Sequence, residues 1–314
     1  MDVLAGLLEG PRARGAFMIR ACFEPPWAVR IADGAPLSVM VMVEGEAWIL
    51  PEGGGTGGAD KPRHIRPGDI AVARGPDPYV CCDDPATEPR AEIGPGQECR
   101  PLGPAHAGRY KDLGVRQWGE SPDAPAKMLI GTYQLRGELT GRLLDALPAL
   151  LVLPAEVWRC PFTPLLAEEI VRDEPGQDVV LDRLLDLLLI ASLRAWFSRP
   201  EADAPAWYRA MGDPVVGRAL RLIQDDPAHP WTVVGLAERA GVSRAALARR
   251  FTELVGEPPM AYLTGWRLAL AADLLREGGA TVAAIARRVG YGSAFALSTA
   301  FKREYGLSPQ EYRA

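Results

Sequence analysis

"TVVGLAERAGVSRAALARRFTELVGEPPMAYL", residues 232–263, decides how the chain is read, because the chain carries it twice. The second copy, "TVAAIARRVGYGSAFALSTAFKREYGLSPQEY", occupies residues 281–312. Thr232/Thr281, Leu236/Ile285, Ala237/Ala286, Ala240/Val289 and Gly241/Gly290 align at an offset of 49. After one inserted residue, Phe251/Phe301, Gly256/Gly306, Pro259/Pro309 and Tyr262/Tyr312 align at 50. Matches held in order at a fixed spacing mark a repeated supersecondary unit rather than shared composition.

The chemistry within each copy predicts helix, turn, helix. Thr232 and Thr281 are N-cap candidates, since a hydroxyl accepts a hydrogen bond from an N–H of the first turn. Leu236 with Ala237 and Ala240, and Ile285 with Ala286 and Val289, form an inward face at helical spacing. Gly241 and Gly290 fit the left-handed position that ends a helix. Ser243 and Ser293 are placed to cap the next helix, which points Leu247 and Phe251, or Leu297 and Phe301, inward. Between the copies, "MAYLTGWRLALAADLLREG" (residues 260–278) reads as one long helix carrying Leu263, Leu268, Leu270, Leu274 and Leu275. A rigid connector matters, because two recognition helices share one face of DNA only when spaced by about one helical turn, roughly 34 Å.

On these motifs residues 214–314 resemble the DNA-binding domain of AraC/XylS-type transcriptional regulators. "WTVVGLAERAGVSRAALARRF" is similar to that family's first helix-turn-helix, and "IARRVGYGSAFALSTAFKREYGLSPQEYR" to its second. The resemblance implies a sequence-specific transcription regulator, an activator or a repressor, with double-stranded DNA as partner. It also puts base contacts on the face away from the core. In the first unit that face carries Ala245, Ala248 and Arg249. Arg249 can donate two hydrogen bonds to guanine, and the alanine methyls suit thymine methyls. Arg244 is placed for phosphate or base, and Arg250 for phosphate or for packing at the core edge. The second unit presents Ala294, Phe295, Ser298 and Thr299, which are short or apolar. Its contribution is therefore expected to be positioning on phosphates through Arg287, Arg288, Lys302 and Arg303. The alternative for each of these cations is an ordinary solvated surface residue.

Composition agrees with a two-part chain. Hydrophobic residues make up 48% and charged residues 24% of 314, as in ordinary globular proteins. The net charge of −5 is unevenly spread. From Arg209 onward there are 14 Lys and Arg against 10 Asp and Glu, whereas residues 1–208 hold 21 against 30. Only the back part is suited to a polyanion. The start, "MDVLAGLLEGPRARG", has no secretory pattern, and no apolar run is long enough to predict a membrane span. A cytoplasmic location is expected, with no membrane partner.

Residues 16–135 alternate short apolar runs with turns, the mark of a sandwich or barrel. "PLSVMVMVEGEAWILPEG" reads as two strands around "VEGE", and "GGGTGGADKP" as a mobile loop. "HIRPGDIAVARGPDPYVCCDD" reads as another pair about the tight turn "RPGD". The "PGDI" turn with the later "PDPY" resembles the second motif of cupins, small jelly-roll barrels that serve as sensors in many AraC-type proteins. Cupin enzymes hold a metal through an HxH pair, a glutamate and a later histidine. This chain has His64, His106 and His229, no HxH, and Tyr79 where the later histidine would fall. No metal, cofactor or catalytic residue is therefore expected.

Two effector classes follow for the barrel, a small apolar or aromatic ligand and an oxidant. The five cysteines, Cys22, Cys81, Cys82, Cys99 and Cys160, show no CxxC spacing. Cys81 and Cys82 adjoin in a strand and must face opposite ways, which would leave one outside the core. Cys22 follows what reads as an edge strand. These three are the candidate redox residues; the alternative for the cysteines is buried structural thiols, kept reduced in a cytosol.

Beyond the barrel, "GELTGRLLDALPALLVLP" (137–154) and "QDVVLDRLLDLLLIASLRAWF" (177–197) read as helical. The second is apolar nearly all round apart from a strip of Asp182, Asp186 and Arg194. Such a helix is buried on more than one side, and a homodimer contact is expected there. "SRPEADAPA", residues 198–206, reads as an extended or flexible connector. The expected architecture is α+β. A cupin-like jelly-roll sensor spans 1–137 and a helical dimerisation segment 138–198. A linker at 199–213 leads to an all-α tandem helix-turn-helix domain at 214–314. The competing readings are a metal-dependent cupin enzyme fused to a DNA-targeting tail, and a DNA binder with no effector.

Overall fold

The short apolar runs of the front part fold as strands. The computed structural model describes residues 17–52, 61–133, 137–199 and 204–313. Its strands are β1 (Phe17–Phe23), β2 (Ala28–Ile31), β3 (Leu37–Glu44), β4 (Ala47–Pro51), β5 (Arg63–Ile65), β6 (Ile70–Arg74) and β7 (Tyr79–Cys82). They continue with β8 (Ala91–Ile93), β9 (Cys99–Pro101), β10 (Lys111–Gly114), β11 (Gln117–Gly119), β12 (Ala126–Tyr133) and β13 (Leu150–Leu153). One sheet runs β10-β11-β1-β12-β3-β6-β13 and the other β5-β4-β7-β2-β8-β9. Inward residues of both sheets, among them Phe23, Met40 and Met128 from the first and Val29, Ile49 and Ile65 from the second, share one core. This is the two-sheet, cupin-like arrangement expected.

The "RPGD" turn does two jobs. Asp69 N–H donates to the Arg66 carbonyl at 2.9 Å while Gly68, at φ +88°, takes the left-handed position after Pro67, a type II turn. The Asp69 carboxylate then accepts the N–H of Arg66 at 2.9 Å and of Ala155 at 2.7 Å. Asp69 thereby fastens the segment just after β13 beside β6.

Several expectations need correcting. "HIRPGDIAVARGPDPYVCCDD" supplies three strands, β5, β6 and β7, not two. Residues 150–153 form β13, paired with β6 from Leu150↔Ala73 to Leu153↔Ile70, where a helix was expected. A four-residue apolar run has no period of its own, and Pro148 stops the preceding helix. The strand holding Cys22 is not an edge, because β1 lies between β11 and β12. Most of the expected glycine-rich loop, the start of the chain and residues 200–203 of the expected connector lie outside the described residues.

The helices are α1 (Glu138–Asp145), α2 (Thr163–Glu169), α3 (Gln177–Phe197), α4 (Ala206–Met211), α5 (Val216–Asp225), α6 (Val233–Ala240), α7 (Arg244–Val255), α8 (Pro259–Glu277), α9 (Val282–Arg288), α10 (Ala294–Tyr305) and α11 (Pro309–Arg313). The described residues divide into two compact units, 17–133 with 147–199, and 137–146 with 204–313. In the first, α3 buries Leu181, Leu185, Leu188, Leu189, Leu193 and Phe197. The Tyr133 hydroxyl donates to the Leu185 carbonyl at 2.7 Å. A Cβ at Gly131 would lie 2.5 Å from a Leu185 methyl, so β12 and α3 meet there without a side chain between them.

The second unit gathers around α8. Leu268, Ala272 and Leu275 of α8 join Ile285, Val289, Leu297 and Phe301 in one core, while Leu236, Leu247 and Phe251 are fully buried in the first repeat. All four hydroxyl caps form. Thr232 and Ser243 accept the N–H of Gly235 and Ala246 at 3.0 and 3.2 Å, and Thr281 and Ser293 those of Ala284 and Ala296 at 3.2 and 3.1 Å.

The helix α1 belongs to this unit as well, although the sequence places it between strands β12 and β13. It packs on α8 and buries Leu139 and Leu143. Gly137 offers α1 no cap, and the Asp273 carboxylate of α8 supplies one, accepting the N–H of Glu138 at 2.6 Å and of Leu139 at 3.3 Å. Burial raises the Asp273 carboxyl above its ordinary range against the pull of those two donors. Arg276 and the Tyr312 hydroxyl both donate to Glu138, at 2.7 and 2.5 Å.

Gly241 and Gly290 share a left-handed φ, +74° and +88°, but not their surroundings. A Cβ at Gly241 meets open space. One at Gly290 would sit 2.7 Å from the Arg267 guanidinium and 2.9 Å from the Ala228 Cα. Arg267 cannot swing away freely, because it donates to the carbonyls of Pro227 and His229 at 2.7 and 2.8 Å. In denaturant unfolding followed by circular dichroism, Gly241→Ala should cost about 1–2 kcal/mol for backbone strain alone. Gly290→Ala should cost about 3 kcal/mol or more, because crowding adds to strain.

Candidate DNA-reading surface and barrel cavity

Packing selects the outward faces of the two second helices. In α7, Leu247 and Phe251 are sealed in the core, which turns Ala245 and Arg249 fully outward with Ala248 at their edge. The Arg249 side chain is 78% exposed and only loosely paired with Glu253 at 3.8 Å. It is free to swing to a base edge. Arg244, at the helix start, is also exposed.

Arg250 is held differently. Its guanidinium donates to the Asp213 carboxylate at 2.8 and 2.5 Å, and Asp213 also accepts the N–H of Val215 and Val216 at the start of α5. The Arg250 guanidinium holds the Asp213 carboxyl below its ordinary range. The contact ties α7 to the entry of α5, so a structural tie is the role that the geometry favours for this arginine.

In α10, Leu297 and Phe301 are buried, and Phe295, Thr299, Lys302 and Arg303 face out with Ala294 and Ser298 half-buried. Thr299 donates its hydroxyl to the Phe295 carbonyl at 3.0 Å, which leaves its oxygen as an acceptor. Phe295 is 82% exposed, an unusual position for a phenyl ring on a repeat whose core is complete. A thymine methyl is the apolar base feature such a ring can meet. Arg287 and Arg288 are exposed on α9.

The connecting helix α8 has 19 residues, about 28 Å at 1.5 Å per residue. That length is of the order of the spacing between successive major grooves on one face of DNA.

The front unit contains a cavity of about 80 Å³ between its sheets. Ile19, Phe23, Val29, Ile31, Met40 and Met128 are among its apolar walls, with Trp118 at one side. Asp33 and Gln97 are its most polar wall. Tyr79, at the position where metal-binding cupins carry a histidine, lines the same space, and burial pushes its phenol up. Of the histidines, His64 stacks on Trp48 with ring centroids 4.5 Å apart and pairs with Glu46 at 2.9 Å. His229 lies against Trp231 at 4.1 Å.

Of the two readings of the cysteines, the structure matches buried thiols at Cys22, Cys81, Cys82 and Cys160, and no thiol of the Cys81/Cys82 pair is left open. Cys81 and Cys82 do face opposite ways, but both are buried. Cys81 points inward and its thiol donates to the Met40 sulfur at 3.8 Å. Cys82 is covered on the other face by Trp48 and Leu50. Cys22 is fully buried in β1. Burial pushes all three thiols up, Cys82 to about 12 with Asp83 and Asp84 adding to the effect. Thiolate is the reactive form, and the fold suppresses it at each of the three.

Comparisons with known proteins agree with the two halves. The family model described as Cupin matches residues 2–198, and that described as Helix-turn-helix domain matches residues 236–314. An AraC-like transcription regulator of Streptomyces lividans is 34% identical over 100% of this chain and 98% of its own length. Another, from Streptomyces antibioticus, is 36% identical over 82% of this chain and 81% of its own length. Among solved structures, the DNA-binding domain of AdpA in complex with a target DNA is 33% identical. It covers 32% of this chain and 91% of its own length, with a TM-score of 0.31.

Binding measured against a panel of single-base operator variants should separate the surface residues. Arg249→Ala should cost about 1–3 kcal/mol at one guanine position and leave the others unchanged. Phe295→Ala should relax preference at one thymine. Lys302→Ala should weaken all sequences alike and lower the slope of log affinity against log salt by about one.

Proposed function

The chain belongs to the AraC-like transcription regulators with an N-terminal cupin domain, and we propose that its barrel holds a small effector that changes how the tandem helix-turn-helix binds DNA. The observation that carries the proposal is the chain's path at β12. Met128, Ile130 and Thr132 of this strand line the cavity, and the same strand leads within five residues into α1, which is capped by Asp273 of α8. An occupant pressing on β12 therefore acts on the strand that feeds the helix gripped by the DNA-binding unit. Ligands move such an equilibrium only by binding its states unequally, and a direct covalent lead from cavity to reader gives that inequality a route.

In this proposal Arg244, Ala245, Ala248 and Arg249 read bases in one major groove, and Ala294, Phe295, Ser298 and Thr299 meet the next. Lys302 and Arg303 hold phosphates. The protein acts as a homodimer on double-stranded DNA and does no chemistry of its own. Dimerisation is supported by α3, whose outward side carries Val180, Leu184, Leu187 and Ala191 at helical spacing. Val180 and Leu187 are 44% and 45% exposed. A second copy would meet that apolar side with an equal one. An oxidant as effector draws no support from the buried thiols.

Fluorescence anisotropy with DNA from upstream of the protein's own gene tests the proposal at fixed salt. Mild oxidation followed by reductant should leave affinity unchanged, whereas an apolar extract of small molecules should shift it. Arg276→Ala with Glu138→Gln should abolish that shift while keeping DNA binding. Affinity that answers to oxidant and is lost in Cys81→Ser would reverse the assignment. In sedimentation, Leu187→Glu should turn dimer into monomer.

A further inference from the structure

The cavity selects by chemistry as well as by size. Asp33 is the one acidic side chain among its lining residues, and none of them is basic. The Asp33 carboxylate accepts the Ala35 N–H at 3.0 Å and the Gln97 side-chain amide at 2.6 Å. Gln97 holds this place at a cost. Its φ is +64°, left-handed for a residue that is not glycine, a strained conformation. Strain of this kind persists where the surroundings fix it, and here it aims an amide at a carboxylate on the wall of an apolar cavity.

What these contacts leave unused is acceptor capacity. A carboxylate has about four lone-pair sites, of which Asp33 fills two. The Gln97 amide has spent one of its two donors on Asp33 and keeps its carbonyl oxygen and one N–H. Of the other polar lining groups, burial keeps the Tyr79 phenol and the Cys81 thiol neutral, and Thr132 adds an uncharged hydroxyl, so none of them brings a second charge. The polar wall thus offers free acceptor sites and the negative charge of Asp33, with no cation among the lining residues to answer it.

The apolar remainder suits an aromatic ring. Phe23 and Trp118 meet edge to face at 5.9 Å and present both ring faces and ring edges. Met40 and Met128 are unbranched and adaptable, and their sulfurs pair well with aromatic rings. About 80 Å³ is space for several waters at about 10–15 Å³ each, or for one small ring once a methionine shifts.

We propose that this cavity takes a single-ring aromatic molecule, neutral or cationic, that carries a hydrogen-bond donor, such as a phenol or an aromatic amine, and that Asp33 with Gln97 rejects carboxylates of the same size. The proposal rests on the reading of the barrel as the effector site. Specificity of this kind comes as much from the unpaired charge set against the wrong ligand as from contacts with the right one.

Isothermal titration of the full chain with phenol, aniline and benzoate, with tryptophan fluorescence as a second readout, tests it. Phenol and aniline should bind saturably and benzoate roughly tenfold more weakly or worse. Asp33→Asn keeps an acceptor for the Ala35 N–H and removes the charge, so it should bring benzoate close to phenol. Gln97→Leu keeps the carboxylate and removes the amide, so it should weaken phenol while benzoate stays excluded. This second variant serves should the first fold poorly. Ile130→Trp should fill the cavity and abolish all binding. Benzoate binding as well as phenol, or a preference unchanged in both Asp33→Asn and Gln97→Leu, would overturn the proposal, as would no binding of any of the three. DNA affinity measured on the same samples keeps the two readings apart. Phenol that binds selectively without altering DNA affinity would remove the effector role and leave the ligand class standing. A cavity that rejects all three while another small molecule shifts DNA affinity would do the reverse.

Discussion

The grip of the long helix α8 on its neighbours is the constraint on which the C-terminal unit depends. Its inner side supplies Leu268, Ala272 and Leu275 to the core of the second repeat, and Arg267 clasps the carbonyls of Pro227 and His229 ahead of the first. Its last turns hold Asp273 and Arg276 against the start of α1. A helix engaged on so many sides has little freedom to bend, and two recognition helices carried on it keep one separation. In the proposed reading, that fixed separation lets weak individual contacts from α7 and α10 add on one DNA molecule.

The repeat also differs where its two copies are otherwise alike. Tyr262 and Tyr312 occupy equivalent positions. The Tyr262 hydroxyl accepts from Gln224 of α5 at 2.7 Å, so the first copy satisfies its tyrosine from the neighbouring helix of the same domain. Tyr312 instead donates to Glu138 of α1. The second copy completes its shell with a helix borrowed from the strand order of the barrel.

The C-terminal unit was the more legible half because its signals are local. A threonine or serine before a helix and a glycine after it act within three or four residues, and all four caps form as the spacing implied. The barrel was legible as a class and less so in detail. Its pairings join residues far apart, such as Arg20 with Gln117 in parallel, and no window of sequence contains both. Residues 150–153 read as helix because "LLVL" has no period to betray a strand, and the cover over Cys82 comes from Trp48 on another strand. Asp33 and Gln97 had no signal at all. They are 64 residues apart, and nothing in a glutamine announces a left-handed backbone. On the reading helices the inward residues were fixed by their spacing, which gave the outward ones by exclusion. The Asp213 partner of Arg250 lay beyond that logic, 37 residues upstream.

The position of α1 has a consequence for how such proteins can recombine. A gene fusion that joined the front of one regulator to the back of another near residue 200 would look like a clean exchange of modules. It would in fact bring a foreign α1 against the native α8, so that Asp273, Arg276 and Tyr312 inherit a stranger's residues in place of Glu138 and Leu139. Working chimaeras therefore need two joints, one on either side of residues 137–146, or parents whose α1 and α8 surfaces already match. Lineages that trade sensors are held to the same condition, and substitutions in these two helices should travel together.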